Sequence, residues 1–340
     1  MTAIVVLGPS ALPLARLLRD ALPGSAIHGL RRRVAEADLL FDEATAHIAA
    51  LFASGTPVIG VCAAGILIRA IGPLLGDKRA EPPVVAVAED GSSVVPLLGG
   101  HRGANALARR IAEVTGGHAA VTTAGDVAFS LALDEPPPGW RIADAGRVKP
   151  VAAALLASEP VALAVEAGDA AWLSASAIRF ASSGPVAIRV TDRRPTADEA
   201  ALVFHPPVLA LGVGCERGCD PTELASLVDE TLADAGLAGG AVALVASLDL
   251  KLDEAAVHAL AARLDVPARF FTAAELARET PRLATPSEAV FRETGCWGVA
   301  EGAALAAAGP ESVLVVPKRK SARATCAVAR SPAAIDPELV

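Results

Sequence analysis

Between Pro57 and Asp126 the chain twice runs an apolar strand into a glycine turn and then a helix, and a third strand ends in a polar turn. The first pass reads Pro57-Val-Ile-Gly60-Val-Cys62-Ala-Ala-Gly65-Ile-Leu-Ile-Arg69. Val58 to Val61 is a short apolar run, and from Gly65 the residues Ile66, Leu67, Ala70, Ile71 and Leu74 recur at helical spacing. Cys62 to Gly65 is therefore expected as a strand-to-helix turn. The second strand, Ser93 to Leu98, leads into Gly99-Gly100-His101-Arg102-Gly-Ala-Asn105 and a helix from Ala106 to Val114. The third, His118 to Thr122, ends in Thr122-Thr123-Ala-Gly-Asp126. Such turns expose backbone N–H groups at the positive end of a helix dipole, and their small residues let an anion approach. In open α/β sheets ligands collect off the carboxyl ends of strands, where all three turns fall.

The same alternation starts at residue 3, with a strand over 3–7, a helix from Ala11 to Leu22, a basic loop from His28 to Arg33 and a helix from Ala44 to Ser54. It predicts an N-terminal doubly wound α/β domain over 1–133, with Val84 to Ala88 and Val94 to Leu98 paired antiparallel across a hairpin. Asp134-Glu-Pro-Pro-Pro-Gly139 is too rich in proline for a helix or a central strand. It opens a linker and a small middle α/β segment over 134–207, with a helix from Pro150 to Ser158 and strands at Val161 to Val165 and Val186 to Val190. From Val208 the rhythm resumes as a C-terminal three-layer α/β/α domain over 208–330. Its strands are expected at Val208 to Gly214, Ala241 to Ala246, Pro267 to Phe271 and Ser312 to Val316. Its helices are expected at Pro221 to Ala235, Glu254 to Leu264, after a Thr272–Glu275 capping box, and at Glu301 to Ala308. Residues 331–340 read as a flexible tail.

Composition narrows the function. With 3% aromatic residues, no Tyr and a net charge of −8 over 340 residues, the chain lacks base-stacking platforms and a basic footprint, so no nucleic-acid partner is expected. Mean hydropathy is positive, yet each apolar run breaks before the roughly 18 residues of a membrane span. The amino terminus reads as a strand rather than a signal peptide. Five scattered cysteines suit a reducing, cytoplasmic compartment.

No ready-made catalytic motif is present. Gly212-Val-Gly214-Cys215-Glu216-Arg217-Gly218 places its last glycine one residue too far for a dinucleotide fingerprint. Cys215 and Cys219 lack the tight spacing and second ligand pair of a zinc ribbon, so no metal is expected. What remains are polar residues on turns. A neutral imidazole at His101 is suited either to activating water or to bonding a loop carbonyl. Asp126 is placed to orient it or to cap the helix behind it, and Glu216 to act as a base or to pair with Arg217. Lys251, Lys318, Arg319, Lys320 and Arg323 follow strand ends, either as solvated surface or as a grip on carboxylates through charge-assisted bonds.

These segments together resemble the CbiG proteins of cobalamin biosynthesis, the cobalt-precorrin-5A hydrolases. The N-terminal resemblance rests on Gly60 to Lys78, Leu97 to Asn105 and Thr122 to Asp126. The C-terminal part resembles the CobE/CbiG module through Gly212 to Gly218, Ser247 to Lys251, Arg269 to Leu276, Val299 to Glu301 and Val316 to Ser321. The second turn departs from the family's Gly-His-Leu-Gly-Gly-Ala-Asn by one residue, with Arg102 ahead of a single glycine. The resemblance implies a cobalt–tetrapyrrole substrate carrying a δ-lactone. Water opens the lactone, and the former meso carbon leaves with its methyl group as acetaldehyde. The substrate is a polycarboxylate and brings its own cobalt, so no cofactor bound by the protein is implied. His101, oriented by Asp126 or Glu216, would activate the water, with backbone N–H groups around Cys62–Gly65 or Gly212–Gly214 holding the oxyanion. Gly60, Arg69, Gly99, Gly100, Arg102, Asn105, Thr122, Thr123, Cys215, Arg217, Lys251, Lys318, Lys320 and Ser321 complete the expected binding surface, in a cleft between the domains. Methyltransferases of the corrin pathway are the implied partners, and a homodimer stays open. The alternative is a non-catalytic carrier of corrinoid intermediates.

Overall fold

The computed structural model describes residues 1–77, 80–129 and 131–336, without the side chains of His101, Ala124, Asp126 and Val127. The chain divides into two units, Met1–Glu135 and Pro136–Val340. Both are mixed α/β, the class expected from the alternation.

The first unit is built on a seven-stranded sheet in the order Leu39–Phe41, Ser25–Leu30, Thr2–Val6, Val58–Val61, Val84–Val87, Ser93–Leu98 and His118–Ala119. All neighbours are parallel except Val84–Val87 with Ser93–Leu98. Strand residues alternate between two buried layers, Ile4, Val6, Ile59 and Val61 on one face and Val5, Val58 and Val84 on the other. The sheet is therefore covered by helices on both sides, as its near-continuous apolar strands require. The basic stretch expected as a loop is half strand, because Ser25–Leu30 extends the sheet and His28 is buried. The third glycine-turn strand is shorter than expected, His118–Ala119, and the following helix spans Ala124–Phe129.

His28 pairs with His47 at the edge of this unit, with Nδ1 of the first 2.8 Å from Nε2 of the second. Phe41 stacks on the His47 ring. Burial pushes both pKa values below 6.5, joined at His28 by the neighbouring imidazole and opposed there by Asp38. The unfolded chain therefore takes up protons first. Stability from this pair is complete above pH 6.5 and is lost as pH falls through the lowered folded-state values. Thermal unfolding followed from pH 7.5 to 5 should show a falling midpoint, and His47→Gln should shrink the fall.

The second unit holds two sheets. The middle segment forms a four-stranded sheet in the order Arg141–Ile142, Leu202–His205, Val186–Val190 and Val161–Val165, the first pairing antiparallel. Helix Val148–Leu156 buries Val151, Ala154 and Leu155. Beyond it a five-stranded sheet runs Ala268–Phe271, Val242–Leu248, Leu209–Cys215, Ala324–Arg330 and Val313–Lys320. Leu209, Leu211 and Val213 face a layer with Leu224, Val228 and Leu260. Ala210 faces the other layer, where helix Val299–Ala308 lies. That helix is so close that a Cβ on Gly212 would stand 1.9 Å from the Ala300 carbonyl oxygen. The segment expected to fray is held as far as Ile335, whose N–H donates to Pro207 O at 2.8 Å.

Candidate active site

In the second unit the carboxyl ends of two parallel strands and an adjoining hairpin surround a cleft of about 820 Å³. Leu209–Cys215 ends in a turn over Glu216 to Gly218. Gly218 takes φ +68°, a left-handed conformation that disfavours other residues, and donates its N–H to both oxygens of Glu254 at 3.1 and 3.2 Å. Glu254 is buried just ahead of helix Ala255–Leu264. Arg217 reaches the Asp253 carboxylate at 3.0 and 2.8 Å and the Leu250 carbonyl at 3.0 Å. Those contacts fasten the first turn to the short 3₁₀ turn Asp249–Lys251. The hairpin between Val313–Lys320 and Ala324–Arg330 closes the cleft, its Arg323 Nε donating to Glu216 at 2.9 Å. Glu216 thus pairs with Arg323, not with Arg217 as the sequence suggested.

The lining is cationic on balance. Arg217, Lys251, Lys318, Lys320 and Arg323 contribute to it, with the carboxylates Glu216 and Glu293. The two arginines are neutralised by Asp253 and Glu216. Lys251 and Lys320 form no ion pair among the described residues, and the Lys318 ammonium donates to the Thr285 carbonyl at 3.2 Å. Lys318 and Lys320 line the cleft while Arg319 between them does not, the alternation of a strand. The lysine run was expected as a turn after a strand, but the strand continues through it because its partner Ala324–Arg330 does. Leu248, Leu250, Val290 and Val299 supply an apolar wall. An ammonium-rich edge beside an apolar wall suits a large apolar molecule with peripheral carboxylates.

Of the C-terminal residues singled out from sequence, Gly214, Cys215, Glu216, Arg217, Lys251, Lys318, Lys320, Ser321 and Arg323 all line this cleft. Gly212 does not; it is a packing glycine under helix Val299–Ala308. Gly212 and Gly214 also lie inside the central strand, register-paired with Ala327 and Thr325, so their backbone groups belong to the ladder rather than to an oxyanion hole. Burial, then the Glu254 charge, push the Cys215 thiol up to about 11, which leaves it protonated at neutral pH and a poor nucleophile. Glu293, Val290 and Thr294 also line the cleft and are not among the residues expected there, because helix Glu288–Thr294 that carries them is not among the expected elements. The signal was available: Ser287 caps this helix onto Val290 N, and Gly295 at φ +80° stops it.

In the first unit, helix Ala64–Ile71 begins without a side-chain cap just after Cys62 and Ala63, so Gly65 belongs to its first turn rather than to the loop. Arg69 folds back onto the Gly65 carbonyl at 3.0 Å. Gly60 lets this helix pack on its strand, since a Cβ there would lie 2.7 Å from Leu67. The Cys62 thiol is also pushed up to about 11, by burial and then by Glu89. At the second turn, Gly99 takes φ +73° against the backbone of Pro82 and Pro83, Gly100 to Arg102 form a 3₁₀ turn, and Arg102 donates to Ala80 O at 2.7 Å. Buried Asn105 donates to Thr123 Oγ1 at 3.0 Å, bringing the second and third turns together, while Thr122 is exposed. The side chains of His101 and Asp126 lie outside the described residues. Among those that are described, no group of three His, Cys, Asp or Glu could hold a metal ion, and no helix is long and apolar enough to cross a membrane.

Fold and cleft together define a class: a mixed α/β protein that gathers ammonium groups at the strand ends of its second unit. Models of the cobalamin synthesis G N-terminal region match residues 46–126, of the cobalamin biosynthesis central region residues 137–206, and of the cobalamin synthesis G C-terminus residues 209–329. A cobalt-precorrin-5A hydrolase of Priestia megaterium is 31% identical over 303 residues, covering 83% of this chain and 80% of that protein. Protein CobE of a Sinorhizobium species is 54% identical over 121 residues, 36% of this chain and 79% of CobE. The crystal structure of a cobalamin biosynthesis protein G homologue from Sulfolobus solfataricus aligns over 97% of this chain and 96% of that one, at 19% identity and a TM-score of 0.38. The chain belongs to the CbiG family of cobalamin biosynthesis proteins.

Proposed function

We propose that the chain is a hydrolase of cobalamin biosynthesis that opens the δ-lactone of cobalt-precorrin-5A to give cobalt-precorrin-5B and acetaldehyde. The observation that carries this reading is the 31% identity to a cobalt-precorrin-5A hydrolase across 83% of the chain. The second unit's cleft supports it: Lys251, Lys318 and Lys320 suit the carboxylates of a tetrapyrrole, and Leu248, Leu250, Val290 and Val299 suit its face. Water adds to the lactone carbonyl, the C–O bond breaks, and a carboxylate and a hydroxyl result. Loss of the hydroxyl proton then breaks the bond to the ring. Its electron pair passes into the macrocycle, and the two-carbon fragment leaves as acetaldehyde.

His101 is the proposed base, oriented by Asp126, and the uncapped start of helix Ala64–Ile71 the proposed oxyanion site. The cobalt is part of the substrate, and the chain needs no cofactor of its own. The reading places the protein in the cytoplasm, exchanging pigment with corrin-pathway methyltransferases. Anaerobic incubation with cobalt-precorrin-5A should release trapped acetaldehyde in step with loss of the two-carbon fragment from the pigment. Pigment that binds and stays unchanged would replace the hydrolase with the carrier.

A further inference from the structure

Strand Val313–Lys320 does not run evenly beside its neighbour. Val316 faces Val328 and Arg319 faces Cys326, so the edge strand carries one residue more than its partner over this interval. The bulge falls at Pro317-Lys318. Proline has no N–H for a ladder, and bulges re-aim side chains where a strand meets a site. The displaced Lys318 N–H is not lost: it donates to Glu301 Oε1 at 2.9 Å.

Glu301 is 1% exposed in the first turn of helix Val299–Ala308. Besides Lys318 N, its carboxylate accepts from Thr285 Oγ1 at 2.9 Å, Ala284 N at 2.8 Å and Thr285 N at 2.9 Å. Those four donors hold its pKa below the usual carboxylate value against the upward push of burial, the largest single influence. The loop closes on itself, because the Lys318 ammonium donates to the Thr285 carbonyl at 3.2 Å. One buried carboxylate thus fixes both the backbone of Lys318 and the carbonyl on which its side chain rests. It also anchors the segment that leads into helix Glu288–Thr294, whose Val290 and Glu293 line the cleft.

We infer that Glu301 is a positioning residue for substrate recognition: it holds the bulged Lys318 so that its ammonium is presented to a substrate carboxylate in the cleft. The inference rests on the hydrolase reading for the identity of the substrate, and on the bulge and the buried carboxylate for the role. Glu301 itself touches no substrate. Its effect must pass through Lys318, and this separates positioning from a general contribution to folding.

The test is a double-mutant cycle in the full chain, read as KM and kcat for cobalt-precorrin-5A, or as Kd by equilibrium dialysis if the pigment is bound unchanged. Glu301→Gln and Lys318→Met should each raise KM or Kd about tenfold with kcat within about twofold, and the double variant should be no worse than Lys318→Met alone. Glu301→Gln combined with Lys251→Met should instead multiply, since no hydrogen bond links Lys251 to this network among the described residues. Multiplication of the Glu301 and Lys318 effects, or a drop in kcat with KM unmoved, would overturn the inference. If Glu301→Gln does not fold, Thr285→Val removes one donor and should show the same dependence on Lys318 at about threefold. Absence of acetaldehyde from the wild type removes the hydrolase reading alone, because the cycle is then read in Kd.

Discussion

Asp192→Ala is expected to lower the unfolding free energy by about 3 kcal/mol, the scale for removing one partner of a buried ion pair. Asp192 is 2% exposed, and its carboxylate receives Arg330 Nε, with Arg193 Nε further off at 3.9 Å. Arg330 ends the strand Ala324–Arg330, whereas Asp192 follows Val186–Val190 of the middle sheet. The Asp192 carbonyl also accepts from Ala238 N at 2.8 Å, and Arg194 N donates to Gly236 O at 3.0 Å. The pair therefore ties the two sheets of the second unit together. Without the carboxylate, Arg330 keeps a guanidinium that is 28% exposed and only partly rehydrated. Urea unfolding of Asp192→Ala beside Asp192→Asn measures this. The asparagine variant should lose about half as much, since it retains an acceptor, and a loss under about 1 kcal/mol in the alanine variant would contradict the coupling.

The second large effect concerns substrate. Replacing Lys251 and Lys320 together by methionine should raise KM for cobalt-precorrin-5A about 100-fold, each lysine contributing a charge-assisted bond of about 1.4 kcal/mol or more. Neither ammonium group forms a close ion pair among the described residues, Lys251 acting on the Asp253 carboxylate only at longer range while Arg217 holds that carboxylate directly, so no tight internal pair competes with the substrate. The wild-type KM should also rise between about 50 mM and 500 mM salt, as screening predicts for partly exposed charges, and the double variant should show little of that dependence. A KM within threefold of wild type would move the carboxylate-binding site away from this cleft.

How much of this could be read from the chain depended on what kind of residue carried the information. Strands such as Val58–Val61, Val84–Val87 and Val161–Val165 announce themselves as apolar runs between turn residues, and the capping box at Thr272 and Glu275 forms as expected. Ser25–Leu30 was hidden because its His28 and Gly29 resemble a loop, and only the fold shows that the histidine is buried and paired with His47. The continuation of Val313 through Lys320 was hidden for a similar reason. Three basic residues look like a turn until the pairing with Ala324–Arg330 is known. Nine of the C-terminal residues picked out on glycine and lysine turns do share one cleft, because turns at the ends of adjacent strands in one sheet must lie together. The role of Glu301 was not legible. A glutamate in a helix's first turn reads as a dipole partner, and only the fold brings Ala284, Thr285 and Lys318 to it.

The most direct measurement of the central claim is a single turnover of cobalt-precorrin-5A by the purified chain in ¹⁸O-water, under anaerobic conditions, with acetaldehyde trapped and the pigment weighed by mass spectrometry. Attack of water on the lactone carbonyl predicts one ¹⁸O in the new carboxylate of the pigment and one equivalent of acetaldehyde per turnover. Pigment of unchanged mass with no acetaldehyde, despite saturable binding, would contradict hydrolysis and leave a protein that holds its tetrapyrrole without cutting it.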